Sequence, residues 1–130
     1  MTIIDTNVMV AFLKGTPDTV EKINELINKN DRIAITIITA YELLKGAYLS
    51  SRRQENLLDV TETISNIQVL DLSPQSCAEA AEIYFELKKT GRLISEFDIL
   101  IAAIAKTNGE AILTRDQHFK SITGLNLIKW

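Results

Sequence analysis

The chain has 130 residues, is 46% hydrophobic and 24% charged, and carries a formal net charge of −3. That length suits one domain, residues 1–130, burying about two-thirds of its unfolded surface, and the composition excludes intrinsic disorder. The negative balance argues against a protein that grips nucleic acid through one strong positive field, so any such contact rests on local patches, a basic partner or bound metal ions.

Met1 to Ile4 is a short apolar stretch with no basic run ahead of it, which reads as a first strand rather than a signal peptide. Val8 to Lys14 is expected to turn helical. Thr16-Pro17-Asp18 opens a helix to about Asn28, with proline at an early position where its missing N–H does no harm. Arg32 to Ile38, β-branched and apolar, reads as a buried strand. Helices are expected from about Ala40 to Leu49 and from Arg52 to about Ile64, followed by a strand from Ile67 to Leu70. Ser73-Pro74 caps a helix that continues to Lys89 and stops at Gly91. Phe97 to Lys106 is an apolar helix ending at Asn108-Gly109; Ala111 to Leu113 and Leu125 to Lys129 are the fourth and fifth strands. This alternation implies an α/β fold with a mainly parallel sheet covered by helices on both faces. In such folds the functional crevice lies at the carboxyl ends of the strands.

Four acids fall at convergent places on that scheme. Asp5 directly follows the first strand, Asp116 lies just past the fourth, Glu42 lies a few residues past the second, and Asp98 opens the last helix, where negative charge is favoured. Asp5, Glu42 and Asp98 sit in apolar runs, and a buried carboxylate is costly unless paired, hydrogen-bonded or bound to metal. Four such groups together would repel one another, and the basic residues nearby are too few to neutralise them. Mg²⁺ or Mn²⁺, held by one or two carboxylates with water and phosphate on the other positions, would do so, and is the recurring equipment for phosphodiester hydrolysis.

Each acid alone has a plainer reading. Asp5 and Asp116 suit turns or helix caps, Asp98 suits a cap, and Glu42 can pair with Lys45 one turn on. Only the set of four favours a site. Glu96 suits an exposed first turn; Asp18, Asp31, Asp59 and Asp71 read as cap and loop acids. His118, beside Phe119, reads as structural, and Tyr41, Tyr48, Tyr84 and Phe85 as packing a core or a dimer interface. One histidine and one cysteine exclude a two-histidine ribonuclease and a Cys–His protease within one chain. The single Cys77 also excludes an internal disulfide and fits a reducing, cytoplasmic setting. No apolar run approaches the ~20 residues that cross a bilayer. No glycine-rich fingerprint for a dinucleotide follows any strand, and DTNV lacks the second Asp of an aspartyl phosphatase.

The segments IIDTNV, YELLKGA, GRLISEFDILIAAIA and ILTRDQHF, in this order and spacing, resemble the PIN-domain nucleases, in particular the VapC-type toxins of prokaryotic toxin–antitoxin pairs. The resemblance spans nearly the whole chain and places Asp5, Glu42, Asp98 and Asp116 at the four acidic positions. It implies a three-layer α/β/α sandwich, Mg²⁺ or Mn²⁺ dependence, RNA as substrate, homodimerisation and a small antitoxin that blocks the site. Thr6 and Asn7 are then candidates to orient Asp5, although Asn7 also suits a helix cap. Thr114, two residues before Asp116, faces the same side of a strand. Lys45, Arg52 and Arg115 are candidate contacts to the RNA backbone. Two alternatives share the acidic pocket: a receiver-like Mg²⁺-binding signalling domain, and a PIN-like module that holds RNA without cutting it.

Overall fold

Every strand of this protein is short, and every strand pairing is parallel, so the connections must be long enough to carry helices back over the sheet. The computed structural model describes residues 1–130. Strand β1 (Thr2–Ile4) leads into α1 (Thr6–Leu13) and α2 (Pro17–Asn28). Strand β2 (Ile33–Thr36) leads into α3 (Ile37–Leu49) and α4 (Arg53–Asn66), and β3 (Gln68–Leu70) into α5 (Pro74–Lys89) and α6 (Glu96–Asn108). After β4 (Ala111–Leu113) a 3₁₀ turn at Gln117–Ser121 precedes β5 (Leu127–Ile128). The strand order is β3-β2-β1-β4-β5.

That order dictates the layers. The chain moves outward from β1 to β2 to β3, then jumps back across both to β4. Parallel crossovers are right-handed, so reversing the direction of travel transfers the helices to the opposite face. Side chains follow the two-residue alternation of a strand. Ile3 and Ile112 point into one core with Ile83, Leu87, Ala102 and Phe119. Ile4, Ile35 and Leu113 point into the other with Val8, Met9, Ile23 and Leu43. The result is the expected α/β/α sandwich. A receiver-type domain has the order 2-1-3-4-5, and the order found here sets that alternative aside.

Local chemistry explains where the elements start and stop. Pro17 opens α2, Pro74 opens α5, and Gly109 ends α6 in the left-handed region with φ 67°. The second strand is shorter than its sequence suggests: Ile37 and Ile38 belong to α3. The hydroxyl of Thr36 accepts the backbone N–H of Thr39 at 3.1 Å, and this cap turns the chain into a helix before two residues that otherwise favour strands. The first helix begins at Thr6 rather than Val8 because Asp5 caps it. Asp59 lies within α4 rather than in a cap or loop.

Candidate active site

Between β1 and β4 the sheet reverses its order of travel, and the loops leaving these two strands diverge to opposite faces, opening a crevice at their carboxyl ends. Asp5 leaves β1 at this point. Its backbone N–H still bonds Leu113 O of β4 at 3.1 Å, and the residue is 2% exposed. Both oxygens are held: Oδ1 accepts the Thr6 N–H at 2.8 Å, and Oδ2 accepts the Thr114 hydroxyl at 2.8 Å. The Thr114 oxygen accepts in turn from the Asp116 N–H at 2.9 Å. One buried threonine therefore sets the positions of two acids. Asp116 also caps the 3₁₀ turn, its Oδ1 accepting the His118 N–H at 2.9 Å.

Glu42 comes from the second turn of α3. The strand that precedes it ends at Thr36, so Glu42 reaches the crevice from a helix rather than from a strand end. The Thr6 hydroxyl donates to Glu42 Oε1 at 2.8 Å and lies 2.9 Å from Thr39 Oγ1. Since the Thr6 hydroxyl has one proton, given to Glu42, Thr39 is the donor to Thr6. Asp98 is the third residue of α6. The helix cap is Ser95, so Asp98 is free of that duty.

Electrostatics ties the four together. Burial pushes the Asp98 carboxyl up to about 6, helped by the charges of Asp5, Asp116 and Glu42 and opposed by His118. Burial also raises Asp5, against the lowering effect of its bonds from Thr114 and Thr6, with Asp116 and Glu42 adding to the rise. No lysine or arginine forms an ion pair with any of the four; the imidazole of His118 lies beside one of them, with Nδ1 3.0 Å from Asp116 Oδ1. The donor set is thus all hard oxygen, negatively charged and without a fixed counter-cation, which fits a hard divalent ion. No three acidic, His or Cys side chains already stand at ligand distances from a common point. Such an open arrangement suits an ion held by few protein ligands and several waters.

Other expectations meet the structure unevenly. Thr6 bonds Asp5 through its N–H and Glu42 through its hydroxyl, and Thr114 bonds the Asp5 carboxylate itself. Asn7 is exposed and does not cap α1, a role taken by Asp5. The plainer pairing of Glu42 with Lys45 does not form; the Lys45 ammonium lies over the rings of Tyr41 and Phe97 instead. Arg52 pairs with Glu55 at 2.7 Å at the head of α4, across a break in the helix after Leu49. Arg115 bonds Asp18 at 2.6 Å and stacks 3.6 Å above the Trp130 ring. His118 is 71% exposed in its side chain rather than a packed structural residue. Tyr41, Tyr48 and Phe85 are exposed as well, and only Tyr84 packs against a core. Thr39 was not singled out from the sequence; its position three residues before Glu42, on the same helical face, is the signal that could have found it.

The chain also matches known proteins over nearly its whole length. The PIN domain family profile covers residues 2–125. The tRNA(fMet)-specific endonuclease VapC of Salmonella typhimurium is 33% identical over 129 residues, 98% of this chain and 96% of that protein. Ribonuclease VapC2 of Haemophilus influenzae is 29% identical over 128 residues, again 98% and 96%. Among solved structures, VapBC2 from Rickettsia felis bound to a DNA fragment from their promoter superposes with a TM-score of 0.90 and 29% identity, covering 99% of this chain and 98% of the other. A profile match over residues 2–125 and a relative 33% identical over 98% of the chain show that the chain belongs to the PIN-domain family.

Proposed function

We propose that this chain is a divalent-metal-dependent endoribonuclease that hydrolyses RNA phosphodiester bonds, and that it is the toxin of a VapBC-type toxin–antitoxin pair. One observation carries the reading: Asp5, Glu42, Asp98 and Asp116 converge electrostatically at the sheet's switch point with no lysine or arginine to neutralise them. On this reading Asp5, Glu42 and Asp98 hold the principal ion, Mg²⁺ or Mn²⁺, directly or through water, and Asp116 completes the site. A bound divalent ion supplies a lowered pKa for an attacking water and neutralises charge on the phosphate.

The chain's own residues do the positioning. Thr114 and the Thr6 N–H hold the Asp5 carboxylate in one orientation, so no rearrangement is needed when substrate arrives. Thr6 and Thr39 do the same for Glu42. The Asp98 side chain has no hydrogen-bond partner among the other acids' braces, so its oxygens are left for an ion or its waters. Of the three cations expected to meet the RNA backbone, Lys45, Arg52 and Arg115, only Lys45 lacks an acidic partner.

The relatives named VapC are ribonucleases, and the Rickettsia felis neighbour is a VapBC assembly. By this kinship the chain pairs with a small antitoxin and forms a homodimer in the cytoplasm. Exposed Leu49, Leu58 and Phe85 provide apolar contact surface outside the acidic crevice. No helix is long and apolar enough to cross a membrane.

The test is incubation of total RNA with the purified chain in Mg²⁺, in Mn²⁺ and in EDTA, beside Asp98→Asn, with the cut ends mapped. Cutting by the wild type with either metal and by neither control supports the reading. Wild-type turnover by Asp98→Asn would sink it. RNA binding without cutting would favour the non-cleaving module.

A further inference from the structure

Two aromatic residues flank the acids from different helices: Tyr41 precedes Glu42 on α3, and Phe97 precedes Asp98 on α6. Their rings meet edge to face, 5.7 Å between centroids at an interplanar angle of 80°. Lys45 Nζ lies over both, 5.4 Å from the Tyr41 centroid and 5.1 Å from that of Phe97. Two rings at right angles with an ammonium against each form a rigid corner where α3 meets α6. Phe97 is partly buried, whereas Tyr41 is 53% exposed. Neither ring packs against one of the two cores, so core packing does not account for this pair.

A half-exposed aromatic ring, braced by a second ring and beside an unpaired lysine, is the equipment with which proteins hold single-stranded nucleic acid: bases stack on the ring and the cation meets the backbone. Bracing matters because a ring already fixed loses little freedom when a base settles on it. Its place in the chain matters equally, since a ring adjoining Glu42 and Asp98 can hold only nucleotides close to the bond being cut. Charge also favours this occupant. The crevice repels the anionic backbone until its carboxylates are neutralised, so affinity must come from contacts at the rim that are apolar or positive.

We propose that Tyr41, braced by Phe97, is the stacking platform for an unpaired base next to the scissile phosphate, with Lys45 contacting the neighbouring backbone. The proposal rests on the ribonuclease reading above. Stacking on one ring contributes about 1–3 kcal/mol, so Tyr41→Ala raises KM for a single-stranded substrate by roughly 10-fold with little change in kcat. Tyr41→Phe, which keeps the ring, restores the affinity.

The experiment uses a short unstructured RNA carrying the cut site mapped from total RNA, and a series of the same RNA with single abasic nucleotides around that site. Wild type loses affinity at one abasic position, and Tyr41→Ala is insensitive at that same position. Equal KM for Tyr41→Ala and wild type overturns the proposal, as does a Tyr41→Ala penalty that no abasic position removes. An unchanged KM with altered gel-filtration behaviour assigns the corner to contact between protein chains, which also overturns it. If the wild type cuts no RNA in Mg²⁺ or Mn²⁺, the ribonuclease reading fails separately. Fluorescence anisotropy with labelled oligo(A) and oligo(U) then decides the platform: weaker binding by Tyr41→Ala than by wild type and Tyr41→Phe supports it, and equal binding overturns it.

Discussion

Thr114 donates its hydroxyl proton to Oδ2 of Asp5 across 2.8 Å, joining residues 109 positions apart in the chain. The Thr114 oxygen in turn receives the Asp116 N–H at 2.9 Å, so the hydroxyl of one residue that is 4% exposed ties the carboxyl end of β1 to that of β4. Replacing it tests both stability and activity. Thr114→Val keeps the shape and removes the donor, leaving a buried carboxylate oxygen and a backbone N–H without partners. Such losses cost about 1–3 kcal/mol. Urea denaturation is expected to show that decrease together with reduced RNA cleavage, and Thr114→Ser is expected to recover most of both. A Thr114→Val protein as stable and active as wild type would show that the hydroxyl is dispensable.

The metal-free protein carries a characteristic pH dependence. Asp98 titrates at about 6 in the folded state against an ordinary value of 3.8. Between these values the folded chain keeps a proton that the unfolded chain has released, so stability falls as pH rises through the window and the loss is complete above about 6. Asp5, also raised, acts in the same direction. The carboxyls of Asp18, Glu25 and Asp31 are held low by their cationic and hydroxyl partners and act in the opposite sense at more acid pH. The difference between Asp98→Asn and wild type isolates the first effect. In EDTA the variant is expected to melt higher near neutral pH, with the gap closing as pH falls toward the ordinary carboxyl value. A gap that stays constant with pH would contradict the assignment.

Divalent cation should reverse that penalty. An ion that binds only the folded state stabilises it by mass action, about 2.7 kcal/mol at a hundredfold excess over its dissociation constant. Thermal melts of wild type in rising Mg²⁺ or Mn²⁺ should therefore climb steadily. Asp5→Asn and Asp98→Asn should melt at temperatures that respond weakly or not at all. Equal responses in all three would place the ion elsewhere.

The Arg115 guanidinium is held by Asp18 and the Trp130 ring, on the rim of the protein. Exposed ion pairs contribute little, so Arg115→Ala is expected to leave the melting temperature nearly unchanged. Lys45→Ala should weaken RNA cleavage more than Arg115→Ala, because Lys45 has no carboxylate to leave behind. Parallel kinetics on one RNA check this. A larger loss in Arg115→Ala would show that its guanidinium abandons both partners for the RNA backbone.

Much of the architecture could be read from residue order because the signals are local. Prolines at Pro17 and Pro74, the Gly109 stop and β-branched runs act on their own few residues, and the helices and strands they mark are present. Where two local signals compete, reading fails: Ile37 and Ile38 favour a strand, but the Thr36 cap makes them helical. The 3₁₀ turn after Asp116 was unmarked, since its cap is a single side-chain oxygen with no periodic pattern behind it. Asp5, Glu42 and Asp98 stood out because charge inside apolar runs demands an explanation, and Asp116 because it follows a strand end.

What tertiary structure alone decided is the company those residues keep. Nothing local specifies that β1 lies between β2 and β4; that order follows from which faces of distant segments can be buried together. It brings Thr114 to Asp5, Thr39 to Thr6 and Phe97 to Tyr41. Hydroxyls and rings of this kind carry no mark in the chain itself, because a threonine becomes a brace, and a tyrosine a platform, only through a neighbour that folding delivers.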